Sequence, residues 1–130
     1  MKKIPLIFLI IAFQSLAQDF AKFNWSRLDF DPDAYIDHSK MTGDKLVGFK
    51  VVTLNSYDSI SSAQMFGLSE ITEMEINCQK GTMRDLRITW TEKSMGKGKI
   101  TNKDGPFEKY AIRNLLEGSF QRKLFTYICK

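Results

Sequence analysis

Glu73-Met74-Glu75-Ile76-Asn77-Cys78-Gln79-Lys80-Gly81, with Leu86-Arg87-Ile88-Thr89-Trp90 shortly after it, is the stretch that decides the fold. Side chains of an extended chain alternate between two faces. Met74, Ile76 and Cys78 therefore share one face, and Glu73, Glu75 and Asn77 share the other. Lys80-Gly81 supplies a turn. Leu86, Ile88 and Trp90 then resume the apolar face, with Arg87, Thr89 and Thr91 directed outward. Two such runs joined by a short glycine-containing link predict an antiparallel hairpin.

Working outward, Leu46 to Asn55 is the longest β-rich run, with Val47, Phe49, Val51, Val52 and Leu54. Apolar residues on both of its faces predict a central strand. Phe23 to Asp29 alternates and predicts a first strand, Ala34-Tyr35-Ile36-Asp37 a brief pairing, and Thr42-Gly43-Asp44 a turn. Tyr57 to Ser69 is serine-rich without a period and reads as a loop. After the break at Gly96-Lys97-Gly98, Lys99-Ile100-Thr101 is a further strand candidate. Asp104-Gly105-Pro106 turns the chain before Phe107 to Ile112. The period then changes: Phe120, Leu124, Tyr127 and Ile128 fall on one helical face, with Ser119 as N-cap after Gly118. The expected fold is α+β, an antiparallel sheet of about six strands with one C-terminal helix, forming a single domain over residues 18–130.

The first seventeen residues read as an address. Lys2 and Lys3 precede the apolar run Ile4 to Phe13, and Gln14-Ser15-Leu16-Ala17 places small residues at the −3 and −1 positions of a cleavage site. The run is about ten residues, half of what a bilayer span needs. A secretory signal cleaved after Ala17 is expected, and Gln18 stands where a lipoprotein would carry its lipid-bearing cysteine. Cys78 and Cys129 are the two cysteines. In an exported chain an even pair reads as a disulfide, here clamping the helix onto the sheet.

Several chemistries find no support. Asp29, Asp31, Asp33 and Asp37 approach the spacing of a calcium loop, but Ala34 stands at the glycine position and Lys40 at the bidentate glutamate position. His38 is the single histidine, so any Ser-His or Cys-His pair must use it. Gly67-Leu68-Ser69 lacks the second glycine of a nucleophile elbow. No phosphate-loop spacing surrounds Lys97-Gly98-Lys99. A hydrolase would need Asp31, Asp33 and Asp37 to converge in a pocket. No enzyme, cofactor or metal is expected, and no nucleic-acid partner, since a basic platform interleaved with aromatics is missing.

Charge is distributed unevenly. Residues 18–77 carry five Lys/Arg and ten Asp/Glu, whereas residues 78–130 carry twelve and five. Lys80, Arg84 and Arg87 lie on or near the hairpin, and Lys97 and Lys99 in the loop that follows, beside Lys93 and Lys103. Converging, these side chains would form a basic surface for acidic protein segments, sulfated glycans or anionic headgroups.

The order of features resembles the surface-adhesin protein E-like family of small exported bacterial proteins. The resemblance rests on Trp25, Tyr35-Ile36-Asp37, the strand Val47–Leu54, Glu75-Ile76-Asn77-Cys78, Arg84, Met95-Gly96-Lys97-Gly98-Lys99 and Cys129. It runs from Trp25 to Cys129. It implies an antiparallel β domain with a C-terminal helix, pairing of Cys78 with Cys129, and binding of host matrix or serum proteins such as vitronectin and laminin, with dimerisation possible. The expected function is thus an exported, non-enzymatic binding domain at the periplasm or cell surface. The alternative is a periplasmic envelope protein without a host ligand.

Overall fold

The computed structural model describes residues 19–57 and 67–130. The signal segment 1–17 and the stretch 58–66, most of the expected loop, lie outside the described residues. Among the described residues eight strands form one antiparallel sheet: β1 (Ser26–Arg27), β2 (Ala34–Ile36), β3 (Thr42–Asp44), β4 (Gly48–Ser56), β5 (Ser69–Asn77), β6 (Thr82–Thr91), β7 (Ile100–Asp104) and β8 (Tyr110–Ala111). Helix α1 (Phe120–Cys129) follows. The main path runs β1-β2-β4-β5-β6-β7, six strands as expected, while β3 and β8 extend it by pairing with β4 and β6. β4 and β6 outrun their flanking partners β2 and β7, and the short strands satisfy backbone groups that would otherwise be unpaired.

The decisive hairpin is β5–β6, paired from Asn77↔Thr82 to Ser69↔Thr91. Its register slips once. Glu73 faces Arg87 and Met74 faces Asp85, so Leu86 is an extra residue, a β-bulge. Before the bulge, Met83 and Asp85 share the face of Met74 and Ile76; after it, Ile88 and Trp90 do.

That face carries the larger core. Leu28, Ile36, Val51, Met74, Ile76 and Met83 pack together with Leu124 of α1. Ser119 caps the helix as expected, its hydroxyl accepting from the Arg122 N–H. Cys78 and Cys129 are bonded, with Cα atoms 5.6 Å apart. The disulfide holds the end of α1 against the turn between β5 and β6.

The opposite face is also covered over half its length, and there the reading of β6 needs correction. Thr89 and Thr91, expected outward, are buried. They lie beneath a second core of Phe20, Leu54 and Ile71, against which Phe23, Trp25 and Met95 pack. The N-terminal segment and the turn Ser94–Gly96 form this cover. Trp25 Nε1 donates to the Phe20 carbonyl at 2.9 Å, Met95 N to Ser56 Oγ at 2.8 Å and Gly96 N to Ser69 Oγ at 2.8 Å. The first strand is accordingly shorter than expected, because Phe23 and Trp25 leave the ladder and stack on one another, ring centroids 5.3 Å apart. β4 lies within the sheet, Val51 turned to one core and Leu54 to the other, but it begins at Gly48 and not at Leu46. Thr42–Asp44, expected as the turn, is strand β3, and the turn falls on Leu46 and Val47, whose N–H groups donate to Asp44.

Candidate basic cleft

The uncovered half of the second face holds the candidate site. Pairing of Lys50 with Glu75 and of Glu75 with Arg84 lines three charged side chains across β4, β5 and β6. The next row is Val52, Glu73 and Arg87. Arg87 is engaged within it: its Nε lies 2.9 Å from Glu73 Oε2 and its second terminal nitrogen 3.4 Å from Oε1. A two-point guanidinium–carboxylate pair of this kind satisfies both charges locally.

Arg84 is placed differently. Its Nε donates to the Phe107 carbonyl at 2.8 Å. Among the described residues this is the one donor of five that is used, and the guanidinium is fixed without being neutralised. The same segment brings up Lys109. Lys50, Glu75, Arg84 and Lys109, with Val47 and Asn77, line a cleft of about 270 Å³.

Around the β5–β6 turn lies a second hollow of about 310 Å³, lined by Lys80, Arg113, Arg122 and Phe125. The turn is braced by Asn77 Oδ1, which accepts from the Lys80 N–H at 2.9 Å. The Ile112 N–H donates to the Gly81 carbonyl at 2.9 Å and brings the segment before the helix to the same end. Six cations therefore surround one end of the sheet.

The five basic residues singled out in the sequence are divided by this geometry. Lys80 and Arg84 lie at that end, Arg84 in the first cleft and Lys80 in the second hollow. Arg87 stands mid-sheet, paired with Glu73. Lys97 and Lys99 belong to the β6–β7 connection at the other end, where the Lys99 N–H donates to Glu92 Oε1 at 3.3 Å. Lys50, Lys109, Arg113 and Arg122 were not singled out. Lys50 in particular belongs to the acid-rich first half, and only strand register brings it opposite Glu75.

The carboxylates considered for hydrolysis sit apart in role. Asp37 is buried, and its oxygens accept the backbone N–H groups of Asn24 at 2.8 Å and Ser39 at 2.9 Å, together with the Ser39 hydroxyl. Burial pushes its pKa up, but these hydrogen bonds outweigh burial and hold it below the ordinary carboxylate value. Asp31 Oδ1 accepts the Asp33 N–H, a local turn, and Asp33 is exposed. His38 shares a 2.9 Å hydrogen bond with the Tyr127 hydroxyl on α1. Among the described residues no group of three or more His, Cys, Asp or Glu is placed to hold a metal ion.

On the helix-covered face, burial raises the pKa of Asp85. Glu70 is raised mainly by burial and further by Asp85, against the opposing effect of the Trp90 indole N–H that it accepts. Tyr110 is pushed up to about 12 by burial and by Asp85. Asp85 Oδ1 and the Tyr110 hydroxyl are buried and find no hydrogen-bond partner among the described residues.

None of the described helices is long and apolar enough to cross a membrane. Residues 25–130 match the family described as Surface-adhesin protein E. No curated protein matches the chain.

Proposed function

We infer the function from one premise, that the chain belongs to the surface-adhesin protein E family. It is an exported, non-enzymatic binding domain, released from its signal segment after Ala17, that engages an acidic segment of a host matrix or serum protein. The observation that carries this reading is the row Lys50–Glu75–Arg84 with Lys109 beside it, lining one cleft on the sheet, Lys50 and Lys109 exposed and Glu75 and Arg84 half-buried. Backbone pairing fixes the spacing of these charges, so little ordering entropy is lost when a ligand binds. An excess of cations also speeds encounter with an acidic partner in a salt-dependent manner.

The test is binding to immobilised vitronectin and laminin across a salt series. Lys50→Glu with Arg84→Glu should weaken binding at least ten-fold and flatten its salt dependence. Lys97→Glu with Lys99→Glu should leave it nearly unchanged. The reverse result would move the site to the β6–β7 connection. Protein found only in the periplasm by fractionation and protease accessibility would favour an envelope role without a host ligand.

A further inference from the structure

The turn between β3 and β4 presents two aliphatic side chains to water. Leu46 is 73% exposed and Val47 80%. They are held there by construction. Asp44 Oδ1 accepts from both the Leu46 and the Val47 N–H at 2.8 Å, and Asp44 pairs with Gly48 to close the hairpin. A Cβ on Gly43 would lie 2.0 Å from the Gly48 carbonyl oxygen, so the tight approach depends on glycine. Single exposed aliphatic residues are ordinary. Here two adjacent ones sit on a braced turn, and Val47 itself lines the cleft with Lys50, Arg84 and Lys109.

We infer that tip and cleft form one recognition surface for an acidic polypeptide segment that carries an apolar side chain beside its carboxylates. This deepens, and rests on, the basic-cleft reading above. A carboxylate entering the cleft meets the remaining donors of Arg84 and the ammonium groups of Lys50 and Lys109. Glu75, in the middle of the row, offers an acceptor to a backbone N–H of the segment. The neighbouring apolar side chain packs on Val47 and Leu46, so both halves of the surface are used by one ligand.

Two features favour a polypeptide over an anionic bilayer. The cleft is concave and of side-chain size, so a planar headgroup layer cannot enter it. Glu75 would face lipid phosphates across the row, whereas a polypeptide brings both carboxylates and N–H donors.

The experiment is fluorescence anisotropy with two labelled peptides, Glu-Glu-Asp-Leu-Glu-Glu and the same peptide with Ser in place of Leu. The wild-type chain should bind the Leu peptide about ten-fold more tightly, the effect of partly burying one large aliphatic side chain. Leu46→Ser with Val47→Ser should remove that preference and leave the salt dependence unchanged, since both positions are exposed and the Asp44 brace uses only their backbone. Equal binding of the two peptides by wild type, or an unaltered preference in the tip variant, would overturn the inference and leave the basic-cleft reading standing. Tip-dependent binding to phosphatidylserine vesicles without discrimination between the peptides would overturn it in favour of a membrane surface. Failure to bind either peptide, with no effect of Lys50→Glu and Arg84→Glu on matrix-protein binding, would overturn the basic-cleft reading and this one with it.

Discussion

The carboxylate of Asp37 accepts the backbone N–H of Asn24 at 2.8 Å, joining the end of β2 to the segment that leads into β1. The same carboxylate caps the short 3-10 turn His38–Lys40 through Ser39. One side chain thus satisfies donors on two separate stretches of chain.

Asp37→Asn should destabilise the fold by about 1–2 kcal/mol, because an amide accepts through one oxygen only and leaves one of these part-buried donors unmatched. The sign with pH follows from the lowered pKa. The native state holds the ionised form more tightly, so this stabilisation is present above the ordinary carboxylate value of about 3.9 and is lost as pH falls through the native value. Denaturant titrations from pH 2 to 7 should show a shallower acid limb in the variant. An unchanged limb would refute the assignment.

Asp85 should behave in the opposite sense. Its raised pKa means that the native state prefers the protonated acid, so stability falls as pH rises from the ordinary value through the native one. Asp85→Asn should raise Tm by a few degrees at pH 7, roughly the effect of 1 kcal/mol in a domain of this size. It should have no such effect at pH 3, where the wild-type acid is also neutral. Scanning calorimetry at the two pH values decides the matter.

Reduction of the Cys78–Cys129 bond should cost about 4 kcal/mol in the chain-entropy picture, given a separation of 51 residues. Cys78→Ser with Cys129→Ser should reproduce that loss in guanidinium titrations. Hydrogen exchange should then show α1 opening before the β4–β5–β6 ladder.

Gly96→Ala probes the second core. Gly96 has φ +73°, and a Cβ there would lie 3.0 Å from the Phe20 Cβ and 3.1 Å from the Phe20 carbonyl carbon. A loss of about 1–3 kcal/mol is expected from the left-handed conformation and the backbone contact together. A neutral substitution would show that the turn can withdraw from Phe20 at little cost.

The strands of the hairpin, the central place of β4, the helix with Ser119 as cap and the bond between the cysteines were legible because each follows from a local period or from residue type. The second core was not. A buried threonine and a solvent-facing threonine look alike in an alternating pattern, and Thr89 and Thr91 are buried because Phe20 and Trp25 arrive from the distant N-terminal segment while Met95 folds back over the strand it follows. The candidate site was half legible for a related reason. Arg84 and Lys80 lie beside a recognisable turn, whereas Lys50 and Lys109 reach the cleft of Arg84 through pairings between strands that no sequence spacing records.

The extra residue at Leu86 sets the reading frame of the sheet surface. With uninterrupted pairing from Trp90 back to Thr82, alternation would turn Arg84 toward the helix and Met83 toward water. Drawing Leu86 into the ladder would not merely straighten β6; it would exchange the inside and outside of its first four positions, whereas deleting Leu86 would leave Asp85 next to Arg87 and keep both faces. The charged row and the apolar floor beneath the helix are in this sense two outcomes of a single bulge, and pairing Leu86 into the ladder would reverse both at once.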